Sequence, residues 1–430
     1  MSTATTTPTP ALTPAPAALV RSWKTPILLG VLALLSLVFF AFGAPSTDVT
    51  FRLTDPGAAI TLPDLVFSAK VFGWAGAIVL VLAAAWAFVL VRSGRRLPLW
   101  LPVIFGVVFV AAFLSWSVGS AGTPNIALYG LLAGSITLAV PLIFGSLSGV
   151  LCERVGVVNI AIEGQLLFGA FAAAVAGTVS GSAFVGLLAA AVAGVLVSLV
   201  LAVFSIKYVV NQVIVGVVLN VLVSGLTGFL FSTVLSANPA ELNSAPRLPN
   251  IRIPFLADIP IIGPILFDQS LIGYLMYFAV AAVYFGLFHT RWGLRTRAVG
   301  EHPKAADTLG VNVNRTRFTN VLLAGAVAGV GGSFFTLVSV SSFGQDMTGG
   351  QGYIALAALI LGRWNPLGAA AAALLFGFAT NLQYVLGLLG TPVPSQFLSM
   401  LPYVVTIFAV AGVVGKSRGP AASGVPYIKG

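Results

Sequence analysis

Twelve mainly apolar runs divide the chain, near residues 27–43, 71–91, 98–116, 126–150, 164–180, 183–205, 211–234, 271–289, 318–340, 353–362, 367–387 and 398–414. A helix needs about 20 mostly apolar residues to cross the hydrocarbon layer. The run 353–362 is too short for a regular crossing. It predicts a half-helix entered through a broken segment, because irregular backbone at membrane depth must be buried in protein or line a cavity. The pattern predicts an all-α polytopic membrane protein with about 12 membrane segments, broken or re-entrant helices among them.

The polar positions between the runs set orientation. Seventeen of the 21 Lys and Arg residues fall at run ends on one side, and only Arg52, Lys70, Arg247 and Arg252 fall on the other. Positive residues accumulate on the cytosolic side, which predicts cytosolic N- and C-termini and places 290–317 in the cytosol. Within that segment, Arg297 to Val311 forms a compact polar island between long apolar runs, flanked by Arg291, Arg295, Arg315 and Arg317. It reads as a short cytosolic helix stopped at Gly310, displayed to touch a soluble partner. Four regions follow: a disordered cytosolic tail over 1–25, extra N-terminal spans over 26–120 with an outer loop at 44–70, a core over 121–415, and a cytosolic tail over 416–430. Residues 2–20 are uncharged and rich in Thr, Pro and Ala, unable to bury a core. The run after Arg21 and Lys24 resembles a signal peptide, but the many later runs favour an uncleaved first span. A second long outer loop, 235–270, carries six prolines and reads as a stiff cap.

Composition narrows the class. Hydrophobic residues make up 58% and charged residues 7%, with mean hydropathy +1.04, whereas soluble domains carry about 25% charged residues. The net charge of +10 sits at span ends and is no nucleic-acid footprint. A single Cys152 excludes an intrachain disulfide, and His289 and His302 have no ligand-spaced neighbours, so no metal is expected. No Ser/His/Asp or Cys/His arrangement suggests an enzyme. Gly415-Lys416-Ser417 lacks the first glycine and the strand of a phosphate loop. Thr348 to Gln351 only imitates part of an ATPase signature.

The candidate chemistry lies in polar groups that interrupt apolar runs. Asn159, Glu163 and Gln165 follow Glu153, Arg154 and Gly156. A carboxylate within a span faces the protein interior or a watery path, so Glu163 is either a path group or the cap of a nearby helix, while Glu153 and Arg154 read as a boundary ion pair. Asn211, Gln212 and Asn220 lie on one run, and Asn381 and Gln383 on another; such amides either bond between helices or face cargo. Gln345, Asp346 and Gln351 precede the short run and complete the path candidates. Gly145/Gly149 and Gly325/Gly329 read as close helix packing.

Two of these stretches carry a family resemblance. Glu153, Arg154, Gly156, Val157, Val158, Asn159, Ile160, Glu163, Gly164 and Gln165, with Ala298, Val299, Gly300, Glu301, Pro303, Ala305, Ala306, Asp307, Gly310 and Val311, resemble permease subunits of bacterial ABC importers. The superfamily is that of the ribose, simple-sugar and branched-chain amino-acid permeases, and the subgroup is that for nucleosides and simple sugars. Gly349 to Gly362 also fits the family's late broken segment, and the likeness covers about residues 125–415. The family often has Gly at the position of Ala161, and the first three spans exceed the simplest sugar permeases. The resemblance implies that Glu301, His302, Pro303, Lys304, Ala305, Ala306, Asp307, Leu309 and Gly310 form the helix that couples to a cytosolic ABC ATPase. It further implies a second permease chain, related but different, and an extracytoplasmic substrate-binding lipoprotein. No cofactor of its own is expected, ATP being used by the partner subunit, and the expected cargo is a nucleoside, with simple sugars such as ribose second. The competing class is an ion-coupled secondary transporter with Glu163 or Asp346 as the coupling carboxylate.

Overall fold

A computed structural model describes residues 23–55, 60–95, 97–98, 100–391, 393–408 and 419–429. The expected tail over 1–25 lies outside them up to residue 22, and the expected last span lies outside them after residue 408. Ten helices among the described residues are long and apolar enough to cross a membrane. The chain divides into two compact units, one of Met1–Thr47 with Phe67–Gly119, the other of Asp48–Val66 with Ser120–Gly430.

The first unit holds three helices. Helix α1 (Lys24–Leu35) continues through a wide turn to Phe42, and α2 (Ala69–Arg92) and α3 (Trp100–Gly119) follow. A Cβ at Gly73 would lie 1.8 Å from the Phe40 carbonyl, so only glycine lets α2 approach this closely. Phe40 packs its ring on Phe109, Phe113 and Trp116, and the Trp116 indole donates to the Gly43 carbonyl at 3.2 Å.

The second unit is built around α4 (Leu128–Arg154), 27 residues with most of its length buried. It is followed by α5 (Ile162–Ser180), α6 (Ala183–Ala202) and α7 (Gln212–Leu230). Short helices α8 (Pro239–Leu242) and α9 (Ile262–Leu266) lie in the proline-rich segment before α10 (Leu271–His289). Then come α11 (Arg291–Glu301), α12 (Pro303–Thr308), α13 (Val313–Phe334), α14 (Gln351–Leu361), α15 (Pro366–Leu388) and α16 (Ser395–Phe408). Wide turns extend α6 to Lys207, α7 to Leu235 and α13 to Ser339.

Glycines set two close seams. A Cβ at Gly194 on α6 would sit 2.0 Å from the Gly325 carbonyl of α13, and one at Gly329 would sit 2.1 Å from the Ala190 carbonyl. Gly145 and Gly149 likewise admit Ala355 and Leu359 of α14 against α4. In lipid, where no hydrophobic force joins helices, such contact is the source of cohesion.

Three expectations change. The polar island is two helices, because Pro303 disfavours helical backbone in the residue before it. His302 therefore adopts φ −140° and ψ 79°, and Pro303 opens α12. Gly310, at φ +81°, ends the element. The outer loop 44–70 does not belong wholly with the first three spans, because Thr50, Phe51 and Arg52 pair in parallel with Asn125, Ile126 and Ala127 of the second unit. Finally, the described part of the last tail, 419–429, is packed against the second unit: Ala422 is 6% exposed.

Candidate functional site

Helix α4 ends at Arg154, and α5 begins only at Ile162. The intervening residues run as non-helical backbone, buried apart from Val158 and Ile160, which are partly exposed. Their polar groups need partners, and α7 supplies them. The Gln212 amide oxygen accepts from Val158 N at 2.7 Å. Asn220 donates to the Ile160 carbonyl at 2.9 Å and accepts from Gly164 N at 2.8 Å. Gln212 and Asn220 are eight residues apart on one helix, so this run climbs about 12 Å along α7 at 1.5 Å per residue. It runs along α7 as non-helical backbone until α5 starts.

That climb delivers Glu163 to the start of α14. Its carboxylate accepts from Thr348 Oγ1 at 2.6 Å, Gly350 N at 2.8 Å and Gly352 N at 2.6 Å. A carboxylate at a helix N-terminus satisfies orphan amides and opposes the helix dipole. The 11 residues of α14 span about 16 Å, half a hydrocarbon layer, so Glu163 caps a helix too short to cross one.

Two cavities flank the segment before α14 and share Gly349. One, of about 520 Å³, is lined by Glu163, Asn220, Ser224, Asp346, Gly350 and Tyr353 among others. Asp346 takes φ +48°, a conformation that an L-residue adopts at a cost, and accepts from Ser224 Oγ at 2.5 Å. Tyr353, half exposed, receives a hydrogen bond from Asn220 at 3.1 Å. The other cavity, of about 400 Å³, is lined by Thr348, Gln351, Thr380, Gln383, Tyr384, Ser399 and Tyr403 among others. The amide oxygen of Gln351 is buried there without a hydrogen-bond partner. Gln345 is exposed and lies against Gly228.

The remaining path candidates hold the framework and line neither cavity. Asn159 and Gln165 are fully buried and bond to each other at 3.0 and 3.2 Å, with Ser148 and Ser198 closing the cluster. Asn211 caps α7, accepting from Val213 N at 3.0 Å and Ile214 N at 3.4 Å. Gln212 is occupied by Val158, and Asn381 donates to the Leu131 carbonyl at 2.7 Å. The boundary ion pair is also absent among the described residues. Glu153 instead accepts from the Trp364 indole, and Arg154 donates to the Trp364 carbonyl at 2.8 Å. Trp364, at φ +54°, offers both groups to one helix end; it lies in the short connection between two apolar runs, where a lone tryptophan carries no local signal.

On the side of the Arg154 end of α4, the α11–α12 element packs by Gly300, whose Cβ would lie 2.2 Å from the Arg154 carbonyl. Ala306 is buried beneath α12. Glu301, His302, Lys304, Ala305 and Gly310 are exposed, Pro303 and Asp307 partly so, and Leu309 is 84% exposed.

Residues 131–410 match the family described as the permease component of the branched-chain amino acid transport system. The chain belongs to this permease family. It is 40% identical over 310 residues to the guanosine ABC transporter permease protein NupQ of Bacillus subtilis (strain 168), covering 70% of this chain and 97% of that one. The nucleoside ABC transporter permease protein NupC of Lactococcus lactis subsp. cremoris (strain MG1363) is 39% identical over 308 residues, covering 70% and 96%. A second guanosine permease protein of the same B. subtilis strain, NupP, is 26% identical over 289 residues, covering 65% and 82%. No solved structure matches the chain. A permease of this family with ten apolar helices among the described residues is a multi-pass protein of the cytoplasmic membrane.

Proposed function

We propose that this permease is one of two permease subunits of an ATP-driven importer whose cargo is a nucleoside. The likeness to guanosine and nucleoside permeases at 40% and 39% identity, over nearly their whole length, carries the reading. The second subunit is a related but different chain, a reading supported by the similarity of both NupQ and NupP to this protein. A separate cytosolic ABC ATPase supplies energy, and a substrate-binding lipoprotein delivers cargo on the outer side.

In this reading α12 and its flanks, from Glu301 to Gly310, form the ATPase contact. The exposed Leu309 and the buried Ala306 suit a short element seated in a partner's groove. ATP-driven closure pushes on α12, and Gly300 passes the displacement to the end of α4 and the climbing segment after it. That segment carries Glu163, so the push reaches the cap of α14 and the ridge between the two cavities. Cargo moves past Asn220, Ser224, Asp346 and Tyr353 in one cavity and Gln351 in the other, with Gln345 beside them, where hydroxyl, amide and aromatic groups give many weak contacts. A cargo delivered by a binding protein needs no deep site along the way. Glu163 is engaged as a cap by three donors, which supports a structural and gating role over proton carriage.

Proteoliposomes holding this chain with its partner permease, ATPase and binding protein test the reading. Guanosine uptake should require ATP and resist an uncoupler. Uptake that needs a proton gradient and not ATP would transfer the assignment to an ion-coupled secondary transporter. ATP-driven uptake of ribose without nucleoside would change the cargo.

A further inference from the structure

The described end of the chain is tied to three separate parts of the coupling region. Ala422 N donates to the Gly300 carbonyl at 2.9 Å, and Ala421 N donates to the Glu301 carboxylate at 3.1 Å. Gly424 N donates to the Gly156 carbonyl at 3.3 Å. The Val425 carbonyl accepts from Arg317 Nη1 at 2.9 Å. Tyr427 lies beside the Asp307 side chain of α12. Arg317 is 2% exposed, and its Nε and Nη2 have no hydrogen-bond partner. A buried guanidinium has few affordable partners, and a main-chain carbonyl of the tail is the one it uses.

Gly156 is shaped for this contact. It sits at φ +89°, and a Cβ there would meet Arg317 Nη2 at 2.9 Å and the Ala422 carbonyl at 3.1 Å. Any side chain at 156 would therefore displace the tail as well as strain the backbone. The tail thus bridges α11 and α12 on one side, the start of α13 on another, and the segment that climbs to Glu163 on the third.

We infer that residues 420–427 act as a clasp that positions α11–α12 on the climbing segment, so that a push on α12 is delivered to the Glu163 cap instead of being lost in local bending. Arg317, Gly156 and Tyr427 are its anchoring residues. The inference rests on the reading of α12 as the ATPase contact. Without the clasp the element keeps its own helix bonds and its Gly300 contact, but loses the tail's four hydrogen bonds and the Tyr427 contact with Asp307.

Deletion of 419–430 in the complete transporter, with Ala422→Pro and Tyr427→Phe in the full-length chain, tests it. ATPase co-purification and ATP hydrolysis should persist, while nucleoside uptake per ATP hydrolysed falls by about tenfold in the deletion, in the range of ordinary coupling energies. Amide exchange over 298–302 and 156–158 should rise by about tenfold, as expected when a local tether is removed. An unchanged or increased uptake per ATP in the deletion, or unchanged exchange in those segments, overturns the clasp. If the deleted chain does not insert, Ala422→Pro, which removes the donor to Gly300, and Tyr427→Phe decide on the same readouts. Exchange requires no cargo, so a wild-type assembly that imports no nucleoside refutes the proposed function and leaves the clasp to be decided by exchange alone.

Discussion

Removing the Glu163 carboxylate should loosen the start of α14 and little else. In Glu163→Ala the Gly350 and Gly352 amides lose their acceptor, while the Thr348 hydroxyl can rotate to another. A hydrogen bond to a charged group contributes about 1.5–3 kcal/mol, so two lost amides cost about 3–6 kcal/mol. Water in the adjoining cavity offsets part of this, which places the net near 3 kcal/mol, the low end of that range. Each 1.4 kcal/mol is tenfold in an equilibrium, so local opening should become about a hundredfold more frequent. In Glu163→Gln one oxygen still accepts, but the new NH₂ group confronts a second donor. One lost bond corresponds to about 1.5 kcal/mol, or roughly tenfold. Hydrogen exchange with mass spectrometry over 348–356 reads this directly, with the middle of α15 as internal control. The order should be wild type, then Gln, then Ala, at about tenfold and a hundredfold. If both variants exchanged within twofold of wild type, Glu163 would not be holding α14. ATP-driven uptake should survive in part in the Gln variant, since on the proposed reading transport draws on ATP and not on a proton at this group.

Three further outcomes follow from named contacts. In a background without Cys152, cysteine at 346 or 353 should react with water-soluble maleimides at a rate that changes with nucleotide, whereas cysteine at the fully buried 159 should stay inert; equal labelling at 159 and 346 would contradict the division into framework and path. Lys304→Glu with Leu309→Asp should abolish ATPase co-purification while leaving insertion intact, because both side chains point outward and the tail's partner Glu301 is untouched; unchanged co-purification and uptake would remove α12 as the contact. Gly329→Leu should force α6 and α13 apart and destabilise the unit by more than about 3 kcal/mol, seen as loss of a monodisperse detergent-purified protein, and normal yield with an unchanged melting profile would refute the seam.

The spans were legible because a hydrocarbon layer of fixed thickness demands runs of fixed length and forbids unpaired backbone. The same constraint made the half-helix readable, since a run as short as 353–362 can exist at that depth only if something meets its end. The charged island with Pro303 and Gly310 was visible because such residues have no reason to interrupt apolar chain unless displayed in water. The motif that runs from Glu153 to Gln165 marked the right segment, but its residues do different work. Gln165 and Asn159 satisfy each other, Glu163 caps α14, and Glu153 grips an indole 211 residues away. An amide in an apolar run looks alike whether it holds a neighbour's backbone or faces a cavity. The difference lies in what stands opposite, and the residues opposite come from distant parts of the chain: Asn220 beside Ile160, Thr348 beside Glu163, Val425 beside Arg317. The sequence by itself determined that the chain is built from long apolar helices and roughly where most of them run, because hydropathy is a local property of each run. Only the tertiary structure decided which polar groups are framework and which are path, because hydrogen-bond satisfaction is a property of pairs.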